Sequence, residues 1–302
     1  MAIFGYLPAY SCLNEYKALL NGKLVFGEGQ EVFVVPQSNL GMLTAKDLSD
    51  SLRKAEITYK RSGKLTDYSD YGVMLCYNNQ YQAAKIVFKE IESRSPGLYA
   101  TAANLGTTYE LLGIDDSALY WIKKAISVEP GSHYGSEWIH VKILEAKIKA
   151  KGNSNYFETH EVLDLDFGNN TIPRYKSQTM ENDQLEAHLL FQLSERMTFI
   201  KPKDVIMGQL LFDLANTCLI ENDTKSANKN FRLAIEYGYH SEMLNQRLAC
   251  IEGLQKKADR KNYWDNLIKD NVMPIVAISG TVLVAAILAT AYSISKRRKK
   301  KN

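Results

Sequence analysis

Residues 65–98 and 99–132 are two copies of one pattern with a period of 34 residues. In the first copy, positions 4, 7, 8, 11, 20, 24, 27 and 32 hold Tyr68, Tyr71, Gly72, Leu75, Ala84, Phe88, Ile91 and Pro96. The second holds Ala102, Leu105, Gly106, Tyr109, Ala118, Ile122, Ala125 and Pro130 in the same register. Steps of three and four residues stay on one helical face, so positions 4, 7 and 11 form the apolar stripe of one helix. Positions 20, 24 and 27 form the stripe of a second. The small residues at positions 8 and 20 let the two backbones approach closely. The prolines come where the second helix must stop, because proline lacks the N–H and disfavours helix in the residue before it. One such pair cannot bury its own face, so neighbours must stack.

This pattern resembles the tetratricopeptide repeat, a helix–turn–helix unit of that length. The resemblance implies an all-α solenoid of helical hairpins that holds another protein and carries no chemistry of its own. A third unit is expected at 208–241, followed by a closing helix to 258. Leu211, Leu214, Ala215, Cys218, Ala227, Phe231 and Ala234 keep the register, and Tyr239 stands where proline would be. In the family the first helices line a concave groove. The positions facing it are Thr66, Ser69, Val73 and Tyr77 in the first unit, Ala103, Asn104 and Thr107 in the second, and Phe212, Asp213 and Asn216 in the third. A protein or peptide is the implied partner of this mixed apolar and polar surface. Some family members grip a C-terminal carboxylate with lysine, arginine and asparagine. This chain keeps only Asn104 of that set and has Ser69, Val73, Tyr134 and Trp138 at the other positions, so that clamp is not expected.

Other segments surround the units. Residues 1–16 are a candidate signal segment, truncated if so. Small residues at Ala9 and Ser11 resemble a signal-peptidase site, Ser11-Cys12 faintly resembles a lipoprotein site, and an ordinary apolar strand or helix is the third option. Residues 17–64 hold two short β-rich runs at 23–35 around Gly27 and Gly29, read as a hairpin, and a helix at 44–61. That helix starts at Thr44 and Asp47 and packs on the first unit through Leu48, Leu52, Ala55 and Tyr59. Residues 133–207 form a degenerate repeat with an irregular insertion at 152–180. Helices are expected from Trp138 to Lys151 and over 182–200, and the run VLDLDF at 162–167 is β-like. The closing helix carries Glu242, Gln246, Arg247, Lys256 and Lys257, expected to face solvent as a cap.

Val272 to Ile294 contains no charged side chain over 23 residues. As a helix it measures about 34 Å, enough to cross a hydrocarbon core of roughly 30 Å. Lys296, Arg297, Arg298, Lys299, Lys300 and Lys301 follow within the tail 295–302, and such a cluster favours the cytoplasmic side. The formal charge is +3; without these six the remainder carries 31 basic against 34 acidic residues, a net −3. The soluble part therefore lacks the positive excess that nucleic-acid binding needs, and no nucleic-acid partner is expected.

No catalytic constellation stands out. His133, His140, His160, His188 and His240 lack metal-ligand spacing, and a hydrogen-bonded role is expected of them. Asp115 and Asp116 fall in the turn of the second unit, where Asp116 is a candidate helix cap. The separated Cys12, Cys76, Cys218 and Cys250 read as small hydrophobes. Neither a cofactor nor a metal is expected, and the chain reads as a non-enzyme. The leading expectation is a membrane-anchored scaffold with its repeats outside a bacterial cytoplasm. A tail-anchored cytosolic adaptor is the alternative, and an envelope enzyme using the insertion is the remaining class.

Overall fold

The computed structural model describes residues 45–267, apart from 177–179 and 198, together with two short strands near the N-terminus. The chain divides into two compact units, Met1–Leu248 and Ala249–Asn302. The first holds helices α1 (Ala45–Ser62), α2 (Leu65–Tyr77), α3 (Tyr81–Arg94), α4 (Tyr99–Leu111), α5 (Asp115–Val128) and α6 (Glu137–Ala150). After these come the single turn α7 (Tyr156–Thr159), α8 (Asn182–Arg196), α9 (Val205–Ile220) and α10 (Thr224–Glu236). A last helix, α11 (Glu242–Leu267), starts in the first unit and supplies the described part of the second.

The helices pair as α2–α3, α4–α5 and α9–α10, which are the three units expected from the period. All three turns are built alike. Asn79, Gly113 and Asn222 each sit in the left-handed region, with φ of 60°, 70° and 63°. The next residue donates back five positions: Gln80 N–H to Leu75 O at 2.8 Å, Ile114 N–H to Tyr109 O at 2.9 Å, and Asp223 N–H to Cys218 O at 2.9 Å. This closes the orphan carbonyls of each first helix and reverses the chain in three residues. Asparagine and glycine stand there because they tolerate positive φ at low cost. Ser95 and Glu129, the residues before Pro96 and Pro130, adopt extended φ of −146° and −140° and end α3 and α5.

Close packing follows the small residues. A Cβ on Gly72 would lie 2.7 Å from Phe88 Cε1, and one on Gly106 would lie 2.6 Å from Ile122 Cγ1. The core of the first hairpin collects Tyr68, Leu75, Cys76, Ala84, Phe88 and Ile91, and Leu48, Leu52 and Tyr59 of α1 cover it. Cys76 and Cys218 are buried free thiols, as small hydrophobes would be.

Some expectations need correction. VLDLDF at 162–167 forms no strand: it bends at 162–163, Asp164 is left-handed at φ 53°, and no neighbouring strand pairs with it. Helix α8 stops at Arg196, short of residue 200, and α11 runs past 258 to Leu267. Asp116 does not cap α5: the cap is Ile114, without a side-chain bond, and both aspartates lie in the first turn. Near the N-terminus Lys17–Ala18 pairs antiparallel with Leu24–Val25; most of the hairpin expected at 23–35 lies outside the described residues. Residues 1–16, the span 272–294 and the basic tail also lie outside them. No described helix is long and apolar enough to cross a membrane.

Candidate functional site

The first helices of the second and third units are buried on nearly every side. In α4, 11 of 13 residues are buried; in α9, 14 of 16 are. Two faces of each helix are covered by its own partner and by the neighbouring hairpin. The third, inner face is the groove, and the chain itself fills it. Thr66 is half-buried, while Ser69, Val73, Tyr77, Ala103, Asn104, Thr107, Phe212, Asp213 and Asn216 are all buried. These residues face the interior of the chain and not solvent. Different parts of the degenerate repeat cover the two ends of that face.

Over the first two units the cover is α8 with the residues that follow it. Phe199 stacks on Tyr77 with ring centroids 5.5 Å apart. Gln192 donates to Ser136 Oγ at 3.1 Å. His188 donates from Nε2 to Tyr134 O at 2.9 Å and accepts from Trp138 Nε1 at 2.9 Å, which fixes its neutral tautomer. These bonds hold a turn in which His133, Tyr134 and Gly135 are all left-handed, at φ 50°, 57° and 76°. Two of the three are not glycine, so tertiary contacts must enforce that turn.

Beneath it lies a buried ionic centre. Glu110 accepts both guanidinium arms of Arg196, at 2.9 and 3.1 Å, Lys147 Nζ at 2.9 Å and His140 Nε2 at 2.7 Å. Glu137 faces His133 Nδ1 at 2.7 Å and His140 Nδ1 at 3.3 Å. Burial alone would raise the Glu110 carboxyl, but Arg196, Lys147 and His140 outweigh it and hold the group well below its usual range. Burial likewise opposes ionisation of Glu137, and the two histidines reverse this. His140 is raised despite its burial and Arg196, because it lies between two carboxylates. Glu195, by contrast, is raised well above its usual range by burial and by Glu137. His133 and His140 thus have the hydrogen-bonded role expected of them, and among the described residues no cluster has the make-up of a metal site.

Over the third unit the cover is not a helix. Residues 161–176 run as an irregular, non-helical segment against α9, with Val162, Leu163, Phe167 and Pro173 buried and Asp164 and Gly168 left-handed at φ 53° and 68°. Gln209 of α9 accepts from Val162 N–H at 2.9 Å and donates to His160 O at 3.2 Å. Arg247 of α11 donates to Phe167 O at 3.3 Å, Gly168 O at 2.6 Å and Asn170 O at 3.2 Å. Its remaining arm donates to Asn216 Oδ1 at 2.7 Å, and its guanidinium lies 5.8 Å from the Phe212 ring centre. A reverse turn closes the segment, with Arg174 N–H on Phe167 O at 3.0 Å. Tyr175 stacks near Phe167 and donates to Asn182 Oδ1 at 2.7 Å.

Arg247 is the largest correction to the sequence reading. Expected on the solvent face of a cap, it is 1% exposed. Burial lowers its pKa to about 10, which still leaves it charged at neutral pH. All four of its acceptors are neutral oxygens. Asp213, on the same helix as Asn216, is raised well above its usual value by burial and by Glu161. The site is a single buried cation addressed to carbonyls. One sequence signal pointed here: α9 carries only one charged residue, Asp213, in sixteen. A helix so apolar all round needs a cover on its third side.

The chain matches no protein-family model and no curated protein. Among solved structures it is similar to the crystal structure of a tetratricopeptide repeat protein from Parabacteroides merdae ATCC 43184. The identity is 13%, covering 68% of this chain and 93% of that one, with a TM-score of 0.34. A score that low carries no argument. The fold assignment stands on the shared turns and the 34-residue register.

Proposed function

We propose that this chain is a membrane-anchored scaffold that holds a protein partner on the inner face of its helical hairpins. The observation that supports the reading is the irregular segment over α9. Gln209 and Arg247 hold it through backbone N–H and carbonyl groups, the chemistry by which a groove holds a peptide. The anchor is the uncharged stretch 272–294, with Lys296 to Lys301 on the cytoplasmic side and the repeats outside. The buried carboxylates are consumed by structural ion pairs or held neutral, which favours a binding role over catalysis.

Two measurements test the reading. Extraction of membranes with alkaline carbonate should leave the full chain in the pellet, and a chain lacking 272–302 in the supernatant. Protease added outside spheroplasts should digest the repeats. Protection of the repeats would favour the cytosolic, tail-anchored arrangement, and release of the full chain by carbonate would remove the anchor. Photo-crosslinking from position 212 or 165 in intact cells should yield a defined adduct with a second protein. Only intramolecular adducts would remove the scaffold reading.

A further inference from the structure

Resting on that scaffold reading, we propose that the inner face of α9, with Gln209, Asn216 and Arg247, is a site for a non-helical segment of a partner protein. The segment has two adjacent apolar residues, then three residues, then an aromatic residue and glycine, and it displaces residues 161–176. The chain's own VLDLDFG supplies the pattern. Val162 and Leu163 fill one end of the face, Phe167 fills the other, and Gly168, at φ 68°, turns its carbonyl onto Arg247. Between them Asp164 is left-handed at φ 53°, and Asp166 accepts from Gly168 N–H at 2.8 Å, so turn-forming residues are expected at these two places, while Leu165 is half-buried and less constrained.

Three observations make the segment exchangeable. Its backbone, as described, bonds only within itself and to the side chains of Gln209 and Arg247, so no ladder or helix is broken when it leaves. The residues that lead into it, 151–155, are all exposed and give it slack. The site also has donor capacity that the resident segment does not use. Asn216 is fully buried, and its Nδ2 has no hydrogen-bond partner among the described residues. A buried unpaired amide is costly, so an incoming carbonyl or carboxylate that reaches it gains over the resident segment.

The probe is a fluorescent peptide, EVLDLDFGNNTIPRYK, titrated by anisotropy against the full chain and its variants in detergent. A variant with 161–172 replaced by a glycine–serine linker of equal length should bind the peptide at least tenfold more tightly than the unaltered chain. Adding Arg247→Lys to that variant should cost at least tenfold, because three donors on one atom cannot reproduce the planar fork that spans three carbonyls and Asn216. A scrambled peptide should not bind. Equal affinity for the unaltered and linker chains, or for the native and scrambled peptides, would overturn the proposal. Should the linker chain fail to fold, Phe167→Ala in the otherwise intact chain replaces it. Its peptide affinity should rise severalfold, and an unchanged value would overturn the proposal. Loss of peptide binding with a surviving crosslinked partner would remove this site and leave the scaffold reading standing. Peptide binding without any crosslinked partner would do the reverse.

Discussion

The groove over the first two units and the groove over the third are filled by opposite means. Over the first two, a packed helix brings Arg196 onto Glu110, and that guanidinium, Lys147 and His140 share one buried carboxylate. Over the third, an irregular segment offers carbonyls to one buried cation. The first arrangement is tied to particular side chains on three helices, so any loss leaves a charge uncompensated in a dry interior. The second reads backbone, which every sequence carries. The same hairpin architecture thus presents one end that is closed as core and one end that is closed only by a replaceable strap.

The contrast predicts unequal damage. Glu110→Ala should cost about 3–5 kcal/mol of stability, since it strands Arg196, Lys147 and His140. Urea unfolding checks this, and a loss under 1 kcal/mol would mean the centre is not desolvated. Arg247→Ala should cost less in global unfolding, about 1–3 kcal/mol, because the freed carbonyls regain water once the segment lifts. A cost equal to that of Glu110→Ala would erase the difference between the two ends. Gly106→Ala, which forces a methyl against Ile122, should cost about 1–3 kcal/mol and sharpens the claim that the hairpins themselves are rigid.

Acid and base should separate the two ends. Glu110 and Glu137 have depressed pKa values when folded, so their contribution is present above about pH 4 and is lost as the pH falls. Asp213 is raised, so its contribution is present below about pH 4 and is lost as the pH rises. Glu186, beside the third unit, is pushed up to about 7 by burial and by Glu221 and Asp223. Glu186→Gln should therefore leave melting unchanged at pH 4 and raise it by a few degrees at pH 8, with the gain growing between about 4 and 7. A gain independent of pH would contradict the assignment. The smallest effect concerns helix starts. Side-chain caps hold α9 and α10 through Asp204 to Met207 N–H at 2.9 Å and Asp223 to Ser226 N–H at 3.0 Å, while α2 to α5 have none. Asp204→Ala should cost about 1 kcal/mol.

What could be read from the sequence follows from what repeats. Gly72, Gly106 and the stripes recur every 34 residues, so the hairpins and their turns could be placed in advance, the third included despite Tyr239. The site could be read only halfway. Register assigns Asn104 and Asn216 to the inner face, but it says nothing of what lies on top, because the cover comes from segments outside the period. Arg247 shows why. On a helical wheel it joins a charged surface, and only the carbonyls of residues 167, 168 and 170, distant in sequence, make its burial tolerable. Long-range partners of that kind leave no local pattern.

Hydrogen exchange on the full chain, compared with Arg247→Ala, probes the replaceable strap most directly. The amides of Val162, Arg174 and Lys176 should lose protection in the variant, while those of α9 and α10 keep theirs. Protection lost together in the segment and in both helices would mean that residues 161–176 are an integral part of the core and that the third groove does not open.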